Sequence, residues 1–99
     1  MEIIFEYHNI RRQKRLSSIA IKKLNKLLEK YPFVVRAQVF LKEENHPKEK
    51  RHISGIRLSA PGPLLFASSN CNNFLSAVNK TLKNLNTQLQ KRKAIMYTN

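Results

Sequence analysis

From Lys50 to Asn99 this chain has no aspartate or glutamate, although that half carries eight Lys or Arg residues. All six acids precede it (Glu2, Glu6, Glu29, Glu43, Glu44 and Glu49), set against eleven bases. The formal net charge is +13 on 99 residues. Ordinary soluble surfaces intersperse the two signs. An imbalance of this size repels itself and persists most readily where a polyanion is the partner. Nucleic acid is the densest such partner, because Lys and Arg bind its phosphates largely by releasing counterions. A merely solvated charged surface fits less well, since half a chain holds no acid at all.

Other shortages exclude other functions. A single cysteine, Cys71, rules out an internal disulfide and a cysteine-based zinc site. It also suits a reduced, cytoplasmic compartment. Only two glycines, Gly55 and Gly62, are present, so there is no glycine-rich phosphate loop, and Gly62 belongs to a Pro-Gly-Pro turn. No apolar run approaches the roughly 18 residues of a membrane span. The first residues, Met1 to Glu6, lack the basic region of a signal peptide. The absence of carboxylates after Glu49 argues against metal-dependent nuclease chemistry, which needs them clustered. His8, His46 and His52 fall on a strand, a turn and a strand, with no metal-ligand spacing on one element. A Cys–His pair can still form in space, but Cys71 reads more simply as a small loop or partly buried residue. No catalytic residue, metal or cofactor is expected, nor any small-molecule substrate.

What is present suits one domain with one modest core. Apolar residues make up 41% of the chain, too many for a disordered tail. Residues 2–10 read as a strand, with Ile3, Phe5 and Tyr7 alternating against Glu2, Ile4, Glu6 and His8. From about Gln13 to Tyr31 the period becomes helical. Leu16, Ala20, Leu24, Leu27 and Tyr31 are spaced 4, 4, 3 and 4, and Ile21 and Leu28 widen that face. Pro32 stops the helix. Residues 33–44 form a strand with Val35, Ala37, Val39 and Leu41 on one side. The polar stretch Glu43 to Lys50 is a turn. Further strands follow at about Arg51 to Ala60, with Ile56 and Leu58 inward, and at Leu64 to Ser69, joined by Pro61-Gly62-Pro63. Short turns between successive strands imply an antiparallel meander. Phe40 and Phe66 read as core or edge packing. Ser68 to Asn73 reads as a loop, and Asn72 or Asn73 caps a second helix. Its apolar stripe is Leu75, Val78, Leu82, Leu85 and Leu89, with Phe74 added. Each leucine stripe is too short for a coiled coil and reads as core. Residues 1–93 make the domain, and 94–99 a frayed tail.

The order β-α-β-β-β-α, with one apolar stripe per helix, gives an α+β two-layer sandwich. Two helices cover one face of a four-stranded sheet and turn their basic faces outward. The candidate RNA-binding residues are Lys22, Lys23, Lys26 and Lys30 on the first helix and Lys80, Lys83, Lys91, Arg92 and Lys93 on the second. Each stripe alone is an ordinary solvated face. Two adjacent stripes form a surface able to follow a phosphate backbone by shape and charge, with little base reading.

Two stretches carry a family resemblance. R-L-S-A-P-G-P-L-L-F-A (Arg57 to Ala67), N-N-F-L-S-A-V-N (Asn72 to Asn79) and L-N-T-Q-L-Q-K-R-K (Leu85 to Lys93) form one; Asn9-Ile10, Leu16 and K-K-L-N-K-L (Lys22 to Leu27) form the other. Together they resemble the short ribosome hibernation promoting factors, also called ribosome-associated inhibitors. Ala77, Val78, Gln88, Leu89, Lys91 and Lys93 match that family's last-helix pattern. The resemblance implies a β-α-β-β-β-α fold similar to the double-stranded-RNA-binding fold. It implies a bacterial, cytoplasmic protein of the stress response, monomeric off the ribosome. Such a protein occupies the messenger and transfer RNA channel of the small ribosomal subunit, contacts ribosomal RNA through the helix bases above and inhibits translation. The dimerisation domain of the long members is not expected here. The chain departs from the family where Ser68, Ser69, Asn72 and Asn73 replace a usually acidic loop. The alternatives are a general double-stranded-RNA binder, a constitutive ribosomal protein and, further off, an RNA-processing enzyme.

Overall fold

The computed structural model describes residues 1–97. Alternating side chains make β1 (Glu2–His8), and a helical period makes α1 (Lys14–Leu28). Three further strands follow, β2 (Arg36–Asn45), β3 (Lys50–Ser59) and β4 (Leu65–Cys71), and then α2 (Phe74–Met96). The sheet order is β1-β2-β3-β4. β2, β3 and β4 form the expected antiparallel meander. β1 lies parallel to β2, from Glu2 opposite Arg36 to His8 opposite Lys42. A parallel neighbour needs a crossover, and α1 supplies it. The sheet is therefore mixed.

The period-2 rule assigns the two sheet faces. Ala37, Val39 and Leu41 of β2, Ile56 and Leu58 of β3, and Leu65 and Ala67 of β4 are buried beneath the helices. α1 adds Ala20, Leu24 and Leu28, and α2 adds Phe74, Val78, Leu85 and Leu89. α2 lies over β3 and β4. Tyr7 on β1 is hydrogen-bonded to Ser17 on α1. The opposite alternation, including Gln38, Phe40, Arg57, Phe66 and Ser68, faces away from both helices.

Several boundaries and faces differ from expectation. β2 begins at Arg36 rather than at residue 33, which leaves Val35 outside the strand and exposed. α1 ends at Leu28 rather than Tyr31, yet Tyr31 still reaches the core through the turn that follows. β4 continues through Ser68 and Ser69 to Cys71, so most of the expected loop is strand. α2 runs to Met96, so 94–96 are helical rather than frayed; the last two residues of that tail lie outside the described residues. The buried face of α2 is also rotated. Phe74 is buried as expected, but Leu75 is exposed and Thr81 is buried. A stripe drawn through apolar residues alone skips Thr81. Its hydroxyl lies 2.8 Å from the Ala77 carbonyl and 3.3 Å from that of Ser54, so its proton always has an acceptor. A threonine satisfied in this way costs little to bury.

The start of α2 depends on Asn73, whose Oδ1 accepts from the Ser76 N–H at 2.8 Å. That satisfies one of the four amides orphaned at a helix start. Asn73→Ala is expected to lower stability by about 1 kcal/mol, and Asn73→Asp far less. Urea denaturation of the two variants checks this.

Candidate nucleic-acid interface

The sign imbalance of the sequence becomes a spatial segregation. Five of the six glutamates form ion pairs, all within the sheet half of the molecule. Glu2 pairs with Arg36 at 3.3 Å, Glu6 with His8 at 3.4 Å and Glu44 with Lys42 at 3.2 Å. Glu43 pairs with Lys50 at 3.5 Å and Glu49 with Arg51 at 3.8 Å. Exposed pairs of this kind add little stability. Their consequence is where they leave charge uncancelled. Among the described residues, no helix cation has a carboxylate partner. Glu29, at the C-cap of α1, is the sixth acid and pairs with none of them.

Lys22, Lys23, Lys26, Lys30, Lys80, Lys83 and Lys91 are all exposed. On α1 Lys22 and Lys26 follow one ridge opposite Ala20, Leu24 and Leu28, whereas Lys30, expected on the helix, lies in the turn that follows it. Arg15, also exposed, precedes Lys22 by seven residues and therefore extends the same ridge. The expected site omitted it, although the spacing of two turns was visible. The ends of the two helices meet: Lys93 Nζ donates to the Lys30 carbonyl at 3.5 Å and lies 5.8 Å from the Tyr31 ring centroid. Tyr31 in turn donates to Asn86 Oδ1 at 2.9 Å. The two basic ridges are thereby fixed side by side on a molecule 52 Å long.

Arg92 is placed differently from the other candidates. It is only half-exposed, and its guanidinium donates to the carbonyls of Pro61 and Pro63 at 2.6 and 2.5 Å. It clamps the β3–β4 turn onto α2. Gly62, between those prolines, has φ +93°, and a Cβ there would stand 3.1 Å from Arg92 Nη1. Gly62→Ala is therefore expected to cost about 1–2 kcal/mol from its backbone alone. Arg92→Gln is expected to lower the melting temperature with little change in RNA affinity. Thermal melts and a binding titration on the same samples separate the two effects.

The histidines and Cys71 form no such assembly. The strand register sets Cys71 opposite His52, but no side-chain hydrogen bond joins them among the described residues. The His52 ring meets Phe74 edge-on at 4.8 Å. Among the described residues, no group of three or more His, Cys, Asp or Glu could hold a metal ion. No described helix is long and apolar enough to cross a membrane.

A model of the family described as "Sigma 54 modulation protein / S30EA ribosomal protein" matches residues 3–96. The chain belongs to that family. This is the hibernation promoting factor family that the sequence resembles, and membership implies association with the ribosome. The family is in general non-enzymatic. No curated protein matches the chain. Solved structures match its fold. A ribosomal subunit interface protein from Coxiella burnetii superposes with a TM-score of 0.83 at 20% identity, over 95% of this chain and 99% of that one. The N-terminal domain of Protein Y from Thermus thermophilus superposes with a TM-score of 0.71 at 21% identity, over 91% and 93%. At these identities the likeness concerns the fold. These two structures share the sheet-and-two-helix frame.

Proposed function

We propose that this protein binds the small ribosomal subunit through ribosomal RNA phosphates and inhibits translation by occupying the channel of messenger and transfer RNA. The observation that carries this reading is the segregation of charge. Five of the six glutamates neutralise bases of the sheet half, and on the outer faces of the helices only Glu29, at the end of α1, opposes the lysines. Two parallel ridges of flexible ammonium groups suit a folded RNA, whose phosphates lie in rows along grooves. Lys22, Lys23, Lys26 and Lys30, with Arg15, follow one row, and Lys80, Lys83 and Lys91 the other. Lys93 supplies positive charge and joins the helix ends, while Arg92 holds the β3–β4 turn against α2. The step is binding alone, performed by a monomer in the cytoplasm, and needs no cofactor. Family membership supports the ribosome as the target.

Sedimentation with ribosomes tests the location. Binding is expected to fall when transfer RNA fills the A and P sites. Undiminished binding to filled ribosomes would place the protein elsewhere. Binding to free RNA duplex as tight as to ribosomes would make it a general duplex binder instead.

A further inference from the structure

The face of the sheet away from the helices is not a bland surface. Period-2 alternation sends Phe40 of β2 and Phe66 of β4 to that side, and Phe66 is 46% exposed. Gly55 of β3, paired with Phe40, lies between them. A Cβ at residue 55 would stand 3.5 Å from Cε1 and Cζ of Phe66 and 3.7 Å from Cδ2 of Phe40. These are ordinary contact distances, so both rings flank the bare backbone of Gly55. His8 of β1 continues the strip, its ring 6.4 Å from that of Phe40 at an angle of 23°. The Arg57 guanidinium sits 5.3 Å from the Phe40 centroid. Unlike Arg36 and Lys42 on the same face, Arg57 has no carboxylate partner among the described residues.

We propose that this face is a second RNA site, which stacks unpaired bases on Phe66 and Phe40 and holds the adjoining phosphate with Arg57. Aromatic rings on an open sheet are suited to unstacked bases, because every base has a π-face. The surroundings favour RNA over an apolar protein partner. The rings are flanked by hydrogen-bonding groups, Gln38, Ser68 and Asn70, rather than by further apolar area. β4 brings no acid to this face, and Glu2, Glu6 and Glu44 of β1 and β2 are paired with Arg36, His8 and Lys42. Arg57 donates from one Nη to Gln38 Oε1 at 3.4 Å and, without a carboxylate partner among the described residues, keeps its remaining donors for an anion. The proposal stands apart from the ribosome reading, since it concerns the face opposite the lysine ridges.

The test uses the full chain and a fluorescein-labelled oligoadenylate of about eight nucleotides, within the range that one such surface covers. An abasic ribose-phosphate chain of equal length is the control. The measurements are made in the background of Lys22, Lys26, Lys83 and Lys91 replaced by Gln, which suppresses binding by the helices. Phe66→Ala is expected to weaken oligoadenylate binding about tenfold, and Phe66→Leu at least about fivefold, with the abasic chain unaffected. Amide shifts of Gly55 and Ser68 on titration report contact at the face independently of affinity, and thermal melts confirm folding. Equal affinity for the two chains overturns the proposal. So does a Phe66→Leu variant that binds oligoadenylate as the parent does, which would assign the rings to protein contact. Since no ribosome is present, failure here leaves the sedimentation result untouched.

Discussion

Replacing Lys22, Lys26, Lys83 and Lys91 together by Gln is expected to remove about 3 log–log units from the salt dependence of ribosome binding, at roughly 0.7–0.9 per lost phosphate contact. Over a fourfold change in salt that slope is worth about 100-fold in affinity. All four lysines are exposed and none has a carboxylate partner among the described residues, so the loss is one of intermolecular charge. Gln keeps length and helix propensity, and stability should hardly change. Ordinary solvated lysines would give the opposite outcome, an unchanged slope. Titrations at several salt concentrations, with wild type and variant side by side, make the comparison.

Leu85→Ala is the second large effect, on stability. Leu85 is fully buried (0% exposed) in the core between α2 and the sheet. Truncation there removes buried methyl groups and leaves a cavity, at a cost of about 2–5 kcal/mol. For a domain of this size that corresponds to a fall in melting temperature of about 10 °C or more. Leu75→Ala, one of the same apolar run in the sequence, is expected to cost under about 1 kcal/mol, because Leu75 is 41% exposed. Calorimetry of both variants therefore also tests the rotation of the α2 face. Equal losses would restore the stripe that the leucines alone suggest.

That rotation shows where sequence periodicity is sufficient and where it fails. α1 was legible because Ala20, Leu24 and Leu28 recur at helical spacing beside a lysine ridge, and its buried face follows that spacing. On α2 the signal is ambiguous. Thr81 is polar by composition but satisfied by the Ala77 and Ser54 carbonyls, so its burial depends on partners that periodicity does not see. From sequence β4 reads as ending early because Ser68, Ser69 and Asn70 lack strand propensity; pairing with Gly55, Ser54 and Ile53 holds them in the sheet. Tertiary pairing outweighs weak local preference in such a segment.

The candidate site was legible in part. Exposure of the helix lysines follows from amphipathicity, and among the described residues none of them has a carboxylate partner, although Lys93 donates to the Lys30 carbonyl. Arg92 was not separable from its neighbours Lys91 and Lys93 by sequence, since its partners are carbonyls about thirty residues away, on Pro61 and Pro63. The expectation that Phe40 and Phe66 pack in the core or at an edge is also corrected, because both lie on the uncovered face. Strand alternation already opposed Phe40 to Val39 and Leu41. What it did not supply was knowledge that both helices take the same side of the sheet.

The central claim is that the two lysine ridges are the surface that meets ribosomal RNA. Site-specific photocross-linking tests it most directly, with the photoreactive group placed at Lys26 on α1 and at Lys83 on α2 and the protein bound to ribosomes. The expected adducts from both positions lie on the RNA of the small subunit. Adducts confined to the large subunit, or to ribosomal proteins, would contradict the claim.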